Sequence, residues 1–486
     1  MAARSAAVLL LAGVLSVMLF AWGVVGGGCD RRADRDAGGV ITVEFWTLAL
    51  RGNSDLERYI TERIAAFEAQ RPGVKVRWVD VPFEAMDRKL ISAAGAGRAP
   101  DVVNFSDKTY ARFIGLGALR DVKALLPGDA DARFVPGALA LGKMGGKVLA
   151  LPWYLTTQAV VANEAVLSEA GMSAASLPKD WRGLMKAARE FREKVGGEGK
   201  SGGKYLFSVP LGHESDLLMM MFAEGLTPLK AGADGRLRGN LTDPAVVEMV
   251  KGWVELYRDG AIPREAATQG SSHLADLYQN GRLGLINIGP NFLNRIADQA
   301  PGVFETTRVG MPITGELGRG HVAVMVLGVT TQSTHPKEAA ELVWFMTSEE
   351  SQEKFCAVVP ILPSTSGSLN KPQFTDKAAA TQQAREVLRL EAERLKRPMR
   401  EPLEKTVEAG LIAARALKDA VAYTPALEGW PDMRRSFEDG IKRALTGGED
   451  VGAVLARVNG EWDRILSASS GGATVEALPR VDREVR

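Results

Sequence analysis

The architecture of this chain turns on residues 145–163, which read GGKVLALPWYLTTQAVVAN. Gly145-Gly146 marks a turn. Lys147 to Leu151 is strand-like, and Pro152 interrupts it, because proline brings no N–H to a central ladder. Trp153 and Tyr154 follow at once, and Ala159 to Ala162 resumes the strand pattern. These residues allow two architectures. One is a chain that leaves a first lobe, passes a cleft flanked by aromatics and enters a second lobe. The other is a β-bulge within a single sheet.

At 486 residues the chain has room for two domains or one large two-lobed unit. Its 46% hydrophobic and 24% charged content is that of a globular protein. Lys and Arg number 60 against 59 Asp and Glu, and no basic run carries interleaved aromatics. That balance argues against nucleic acid as a partner.

The start of the chain says where it works. Arg4, the charge-free run Ala6 to Val25 and Gly26-Gly27-Gly28 have the layout of a secretory signal, residues 1–28. Cys29 comes next, which resembles a bacterial lipoprotein box and implies lipidation at Cys29; Gly26 stands where an aliphatic is usual. An uncleaved anchor is the other reading, since the apolar run is about long enough to span a bilayer. Both put the body outside the cytoplasmic membrane. Residues 29–39 then suit a flexible tether. With Cys29 so used, Cys356 has no disulfide partner and is expected to be a small buried residue.

Val40 to Trp46 alternates as a first strand. Ser54-Asp55-Leu56-Glu57 is a capping box, and Leu56, Ile60, Ile64 and Phe67 recur at helical spacing up to Pro72-Gly73. Val74 to Val79 is the next strand, Phe83 to Gly95 a helix, and APDVVNFSD a buried strand with a polar exit. This order predicts an open α/β sheet with parallel strands. Ligands of such sheets meet residues just beyond the carboxyl ends of strands, where Thr47 and Asp107 stand. Gly199-Lys200-Ser201 hints at a phosphate loop, but Lys194 occupies the place of the required glycine and a helical stretch precedes it, so a flexible loop is expected. His213, Glu214 and Asp216 cluster, yet no HExxH or CxxC occurs, and no metal or other cofactor is expected. Trp253 lies on the apolar face of a helix and is read as core. Helices are expected at about 378–396, 402–421, 433–446 and 451–467.

Several segments share one resemblance. LPWY with the following NEAVLSEAG, the LPKDW of residues 177–181, LYQNGRLGLINIGPNF of 277–292 and VPILP of 359–363 keep their order and spacing. Together they resemble bacterial extracellular solute-binding protein family 1, the sugar-binding lipoproteins of ABC importers of the maltose-binding-protein type. The likeness covers about residues 40–467. It implies an α/β, two-lobed periplasmic-binding-protein fold (type II), with hinge-linked lobes and a ligand cleft between them. Lobe 1 would be 40–151 with 325–358, and lobe 2 would be 159–318 with 360–467. The crossings would fall near 151–159, 318–325 and 358–363, and 468–486 would be a disordered tail.

The resemblance also implies a ligand set. Trp46, Trp153, Tyr154 and Trp430 would cover the flat faces of a sugar, while Thr47, Asp107, Lys108, Thr156 and Glu214 would bond its hydroxyls. Asn291 or Phe292 fills the place of the family's aromatic beside the Gly289 turn. The expected ligand is a neutral mono- or oligosaccharide, the partners are ABC permease subunits in the membrane, and the protein acts as a monomer without catalysis. Binding of another small solute (a polyamine, glycerol phosphate or a metal) is the alternative, and a secreted glycoside hydrolase a more distant one.

Overall fold

A computed structural model describes residues 39–468 other than 52–53, 83–84, 197–202, 291 and 360, together with 478–479. The expectations for the signal segment, Cys29, the tether up to residue 38, Gly199-Lys200-Ser201 and Asn291 therefore lie outside the described residues.

Two sheets organise the chain. Strands β1 (Ile41–Leu48), β2 (Val74–Val81), β3 (Val102–Ser106) and β4 (Ala150–Thr157) enter the first. The next three, β5 (Ala159–Asn163), β6 (Leu285–Ile288) and β7 (Thr307–Gly310), form the second. The chain then returns to the first with β8 (Val322–Val329) and β9 (Leu362–Pro363). The first sheet has the order β9-β4-β8-β3-β1-β2, and the second β6-β5-β7. β1 pairs in parallel with β2 and β3, while β8 runs antiparallel between β3 and β4. The molecule is thus α/β and two-lobed, and the three-stranded sheet is the centre of the second lobe.

Helices cover both faces of the first sheet, which is why its strands are apolar on both sides. Val43 and Phe45 of β1 pack with Tyr59, Ile60 and Phe67 of α1 (Ser54–Gln70). Trp46 and Leu48, on the other face, pack with Met86 and Leu90 of α2 (Met86–Gly95) and with Tyr110 and Phe113 of α3 (Asp107–Gly115). In the second lobe, Trp181 of α4 (Trp181–Val195) and Trp253 of α5 (Pro244–Arg258) meet with ring centroids 6.2 Å apart in the core. α6 (Phe292–Gln299) buries Phe292, Leu293 and Ile296 against the opposite face of the second sheet.

After β8, α7 (Pro336–Met346) and α8 (Glu349–Cys356) close over the first lobe, and Cys356 is a free thiol whose pKa burial pushes up. The remainder is helical: α9 (Lys377–Leu395), α10 (Glu404–Ala416), α11 (Trp430–Gly447) and α12 (Val451–Ala468). α10 lies across β5, β7 and α6 of the second lobe and also meets β4 of the first, where its Ala413 and Ala414 enter the core.

Three expectations need correcting. Pro152 does not end a strand: it sits inside β4, opposite Val326, while Tyr154 stands opposite Met325. Trp153 is therefore the extra residue of a bulge, and the crossing comes six residues later, at Gln158 between β4 and β5. Lobe 1 extends to Thr157 rather than 151. Next, the segment at 358–363 does not leave the first lobe: β9 pairs with β4, and Leu369 and Phe374 pack in the first-lobe core. Finally, Leu478, inside the segment expected to be disordered, packs against the second-lobe core.

Candidate ligand-binding cleft

In an open α/β sheet the ligand-facing loops follow the carboxyl ends of parallel strands. Asp80, at the end of β2, fastens the first of them. Its carboxylate accepts from Thr47 Oγ1 at 2.7 Å, from the Leu50 N–H at 2.9 Å and from the Arg51 N–H at 3.0 Å. Thr47 Oγ1 in turn accepts from Trp78 Nε1 at 2.7 Å, and the Arg51 guanidinium lies 4.5 Å from the Trp78 ring centroid. Thr47 is fully buried with its donor and acceptor in use, so it holds the loop and cannot meet a ligand hydroxyl. Asp80 is the residue that the sequence reading missed. An acid closing the otherwise alternating strand VKVRWVDV was its signal.

The second loop begins at Ser106, whose Oγ accepts from the Thr109 N–H at 3.2 Å and caps α3. Asp107 and Lys108 form the first turn of that helix, as their position after β3 predicts.

The crossing supplies the polar groups between the sheets. Thr156 is exposed near the end of β4. Gln158 Oε1 accepts from Asn287 Nδ2 at 2.6 Å, which ties β6 to the crossing. Asn287 Oδ1 is buried without a partner among the described residues. Sequence reading passed over Gln158 and Asn287; both are polar residues set inside or beside apolar strand runs, TTQAVVAN and LINI. In the second lobe Glu214 is exposed with a left-handed φ of 51°. Its loop is held by the Ser215 N–H donating to Glu438 Oε1 of α11 at 3.1 Å. Gly270 makes room for it, since a Cβ there would stand 2.3 Å from Glu214 Oε2.

The aromatic set is where the structure departs furthest from expectation. Trp153 is 0% exposed, with Phe355, Tyr154 and Phe45 at 5.1, 5.4 and 6.2 Å between ring centroids. Tyr154 turns into the same core, edge-on to Phe355, and burial raises its pKa. Trp430 is T-shaped on Trp462 at 6.0 Å, and Phe292 is buried under Arg295. Trp46 is buried too, its Nε1 donating to Glu44 Oε1 at 2.6 Å. None of these five rings offers a free face to a sugar. A ring that alternates outward on a strand still meets a helix here, because both faces of the first sheet are covered.

Ala413 and Ala414 of α10 pack into the first-lobe core, and a polar contact also joins the lobes away from the crossings. α9 reaches from α10 back to the first lobe, where Arg394 meets the start of α1: Nη2 lies 2.8 Å from Asp55 Oδ2, and Nη1 donates to Ser54 Oγ at 2.6 Å. Among the described residues no three His, Cys, Asp or Glu gather as a metal site.

Residues 53–353 match the family model described as bacterial extracellular solute-binding protein. A lipoprotein from the oleD 5′ region of Streptomyces antibioticus is 24% identical over 348 residues, 71% of this chain and 75% of that protein. A Deinococcus radiodurans protein named probable ABC transporter-binding protein is 26% identical over 302 residues, 59% of this chain and 68% of its own length. Among solved structures, a candidate oligosaccharide periplasmic-binding protein of Synechococcus sp. MITs9220 is 29% identical with a TM-score of 0.71, covering 88% of this chain and 99% of that one. A sugar-binding protein of Xanthomonas citri shares the fold at a TM-score of 0.68 and 21% identity, over 88% of this chain and 97% of its own.

Proposed function

This chain belongs to the bacterial extracellular solute-binding proteins, and we propose that it is the substrate-binding component of an ABC importer, taking a neutral sugar or oligosaccharide between its lobes. The observation that carries this reading is the likeness to the Synechococcus candidate oligosaccharide-binding protein, which spans nearly the whole described body. Thr156, Gln158 and Asn287 at the crossing are the groups to bond sugar hydroxyls, Thr156 being the exposed one and Asn287 Oδ1 an acceptor that a shift between the lobes would have to uncover. Asp107, Lys108 and Glu214 would add contacts from the two sides.

Ligand touching both lobes binds the closed arrangement better than the open one, and that difference in affinity drives closure. The lobes in this reading are 40–157 with 322–374, and 159–310 with 377–468, turning about Gln158, the segment 311–321 and residues 375–376. The closed form delivers its ligand to membrane permease subunits, and ATP hydrolysis belongs to another subunit. The chain itself catalyses nothing, works as a monomer and is held outside the cytoplasmic membrane by lipid on Cys29.

A thermal-shift screen tests the ligand class. Sugar at about 100 times its dissociation constant adds roughly 2.7 kcal/mol of stability. The reading fails if amines or metal ions shift the midpoint and no sugar does. Mass spectrometry of the membrane-extracted protein tests the anchor; an intact N-terminus without an acyl group would refute it.

A further inference from the structure

The outer side of α2 carries a depression unrelated to the crossings. It has a volume of about 630 Å³, and its polar lining is Arg88, Lys89, Ser92 and Arg98, with Trp46 and three alanines as its apolar lining. All lining residues belong to the first lobe, at the β1–β2 edge of the sheet. β8 and β3 separate this edge from β4 and its crossing.

Helical spacing explains the concentration of charge. Arg88 and Ser92 lie one turn apart, Lys89 beside them, so they share a face of α2. Ala85, Ala93 and Ala96 leave the space between the long side chains open. Among the described residues no carboxylate lines the depression. Glu44, the acid on the neighbouring stretch of β1, is committed to Arg77 and to Trp46 Nε1. Among the described residues Arg88, Lys89 and Arg98 form no ion pair, and Lys89 rests 5.2 Å from the Trp46 ring centroid. The chain as a whole is balanced, with 60 basic and 59 acidic residues, so three cations lining one depression without a carboxylate partner among the described residues are a local excess of positive charge. Three like charges in one concavity repel each other, and an anion with several acceptor oxygens relieves them. Guanidinium forks fit phosphate oxygens in pairs, an ammonium serves as a point charge, and the Ser92 hydroxyl adds a neutral donor.

We propose that this groove is a second binding site, specific for a phosphate ester, with Arg88 and Arg98 gripping the phosphate and Lys89 and Ser92 completing its shell. The volume exceeds what a bare phosphate needs and admits an attached glycerol or sugar. Two sources supply that chemistry: a soluble phosphate ester, or the headgroup of an anionic phospholipid.

Isothermal titration of the full chain at low salt, with inorganic phosphate and then glycerol phosphate, reads the first source. Co-sedimentation reads the second, as the excess of binding to phosphatidylglycerol vesicles over phosphatidylcholine vesicles, which cancels any contribution of the anchor. Binding in either arm should weaken at least tenfold in Arg88→Gln/Arg98→Gln and several-fold in Ser92→Ala, with circular dichroism and the response to sugar unchanged. Soluble phosphate binding alone assigns the site to an ester in solution, and vesicle binding alone assigns it to lipid. The proposal is overturned if neither arm shows binding, or if the double variant binds as tightly as the parent.

Discussion

Glu224 is 7% exposed, and its two oxygens fare differently. Oε1 accepts from the Trp181 N–H at 3.0 Å, while Oε2 is buried with no partner among the described residues. Burial raises its pKa, the Trp181 hydrogen bond opposes that, and the charges of Asp180 and Glu316 add to the rise. A carboxyl with a raised folded pKa holds more protons folded than unfolded. Its favourable contribution is present below the unfolded pKa and is lost as pH rises through the folded one. Glu224→Gln keeps an acceptor for Trp181 and removes the titration. The variant should therefore gain about 1 kcal/mol at pH 7, where the parent has to bury a charge or bind a proton, and nothing near pH 4. Urea unfolding at the two pH values checks this. A loss at pH 7 would mean that the carboxylate is held by something stronger than Trp181. The same physics governs the misread aromatics. Nothing local in LPWY tells that a helix lies over each face of the strand, so Trp153 looks accessible until Phe45 and Phe355 are placed against it.

β4 and β9 meet through a small buried network. Ser364 Oγ donates to the Pro152 carbonyl at 2.6 Å, and Gln352 Nε2 donates to Thr347 O at 3.0 Å and to Ser364 Oγ at 2.9 Å. Gln352 Oε1 accepts the Ser364 N–H, and both residues are fully buried. Pro152 has no N–H to give a ladder, so its carbonyl and this network are what seat the two-residue strand β9 on the bulge. Gln352→Leu strands the Ser364 N–H and the Thr347 carbonyl, and should remove about 2–3 kcal/mol. A change in the urea midpoint worth less than about 0.5 kcal/mol would show that the network is dispensable. Its long reach explains what was legible. Helices with steady apolar periodicity announced themselves: residues 378–396 and 451–467 are realised as Lys377–Leu395 and Val451–Ala468. The β-α-β opening did so as well. The VPILP segment did not, because its place in the first sheet depends on Gln352 and Pro152 rather than on its own pattern. At the crossing, Gln158 and Asn287 become partners only when β5 and β6 align, which no local spacing encodes.

At the scale of the whole molecule, the contact of Arg394 with Asp55 and Ser54 ties the α9–α10 hairpin of the second lobe to the first turn of α1 in the first. Side chains 31% and 20% exposed are within reach of solvent screening, so the pair is worth up to about 1 kcal/mol. That is a factor of about five in the balance between closed and open forms. Asp55 also serves Arg58, which keeps the carboxylate in position when Arg394 departs. Arg394→Ala should therefore enlarge the radius of gyration of the ligand-free protein in small-angle scattering and weaken sugar binding by up to about fivefold. Raising the salt concentration should reproduce part of the effect in the parent and none in the variant, because screening acts on the charge that the variant lacks. Sugar should compact both proteins to the same radius, since the ligand's own contacts with the two lobes supply most of the closing free energy. An unchanged radius on adding a confirmed ligand would count against the hinge itself. A ligand-free radius that is equal in parent and variant would count only against the tie. A weak tie suits a carrier that must reopen to release its cargo: a contact several times stronger would hold the lobes shut without ligand and slow both capture and delivery.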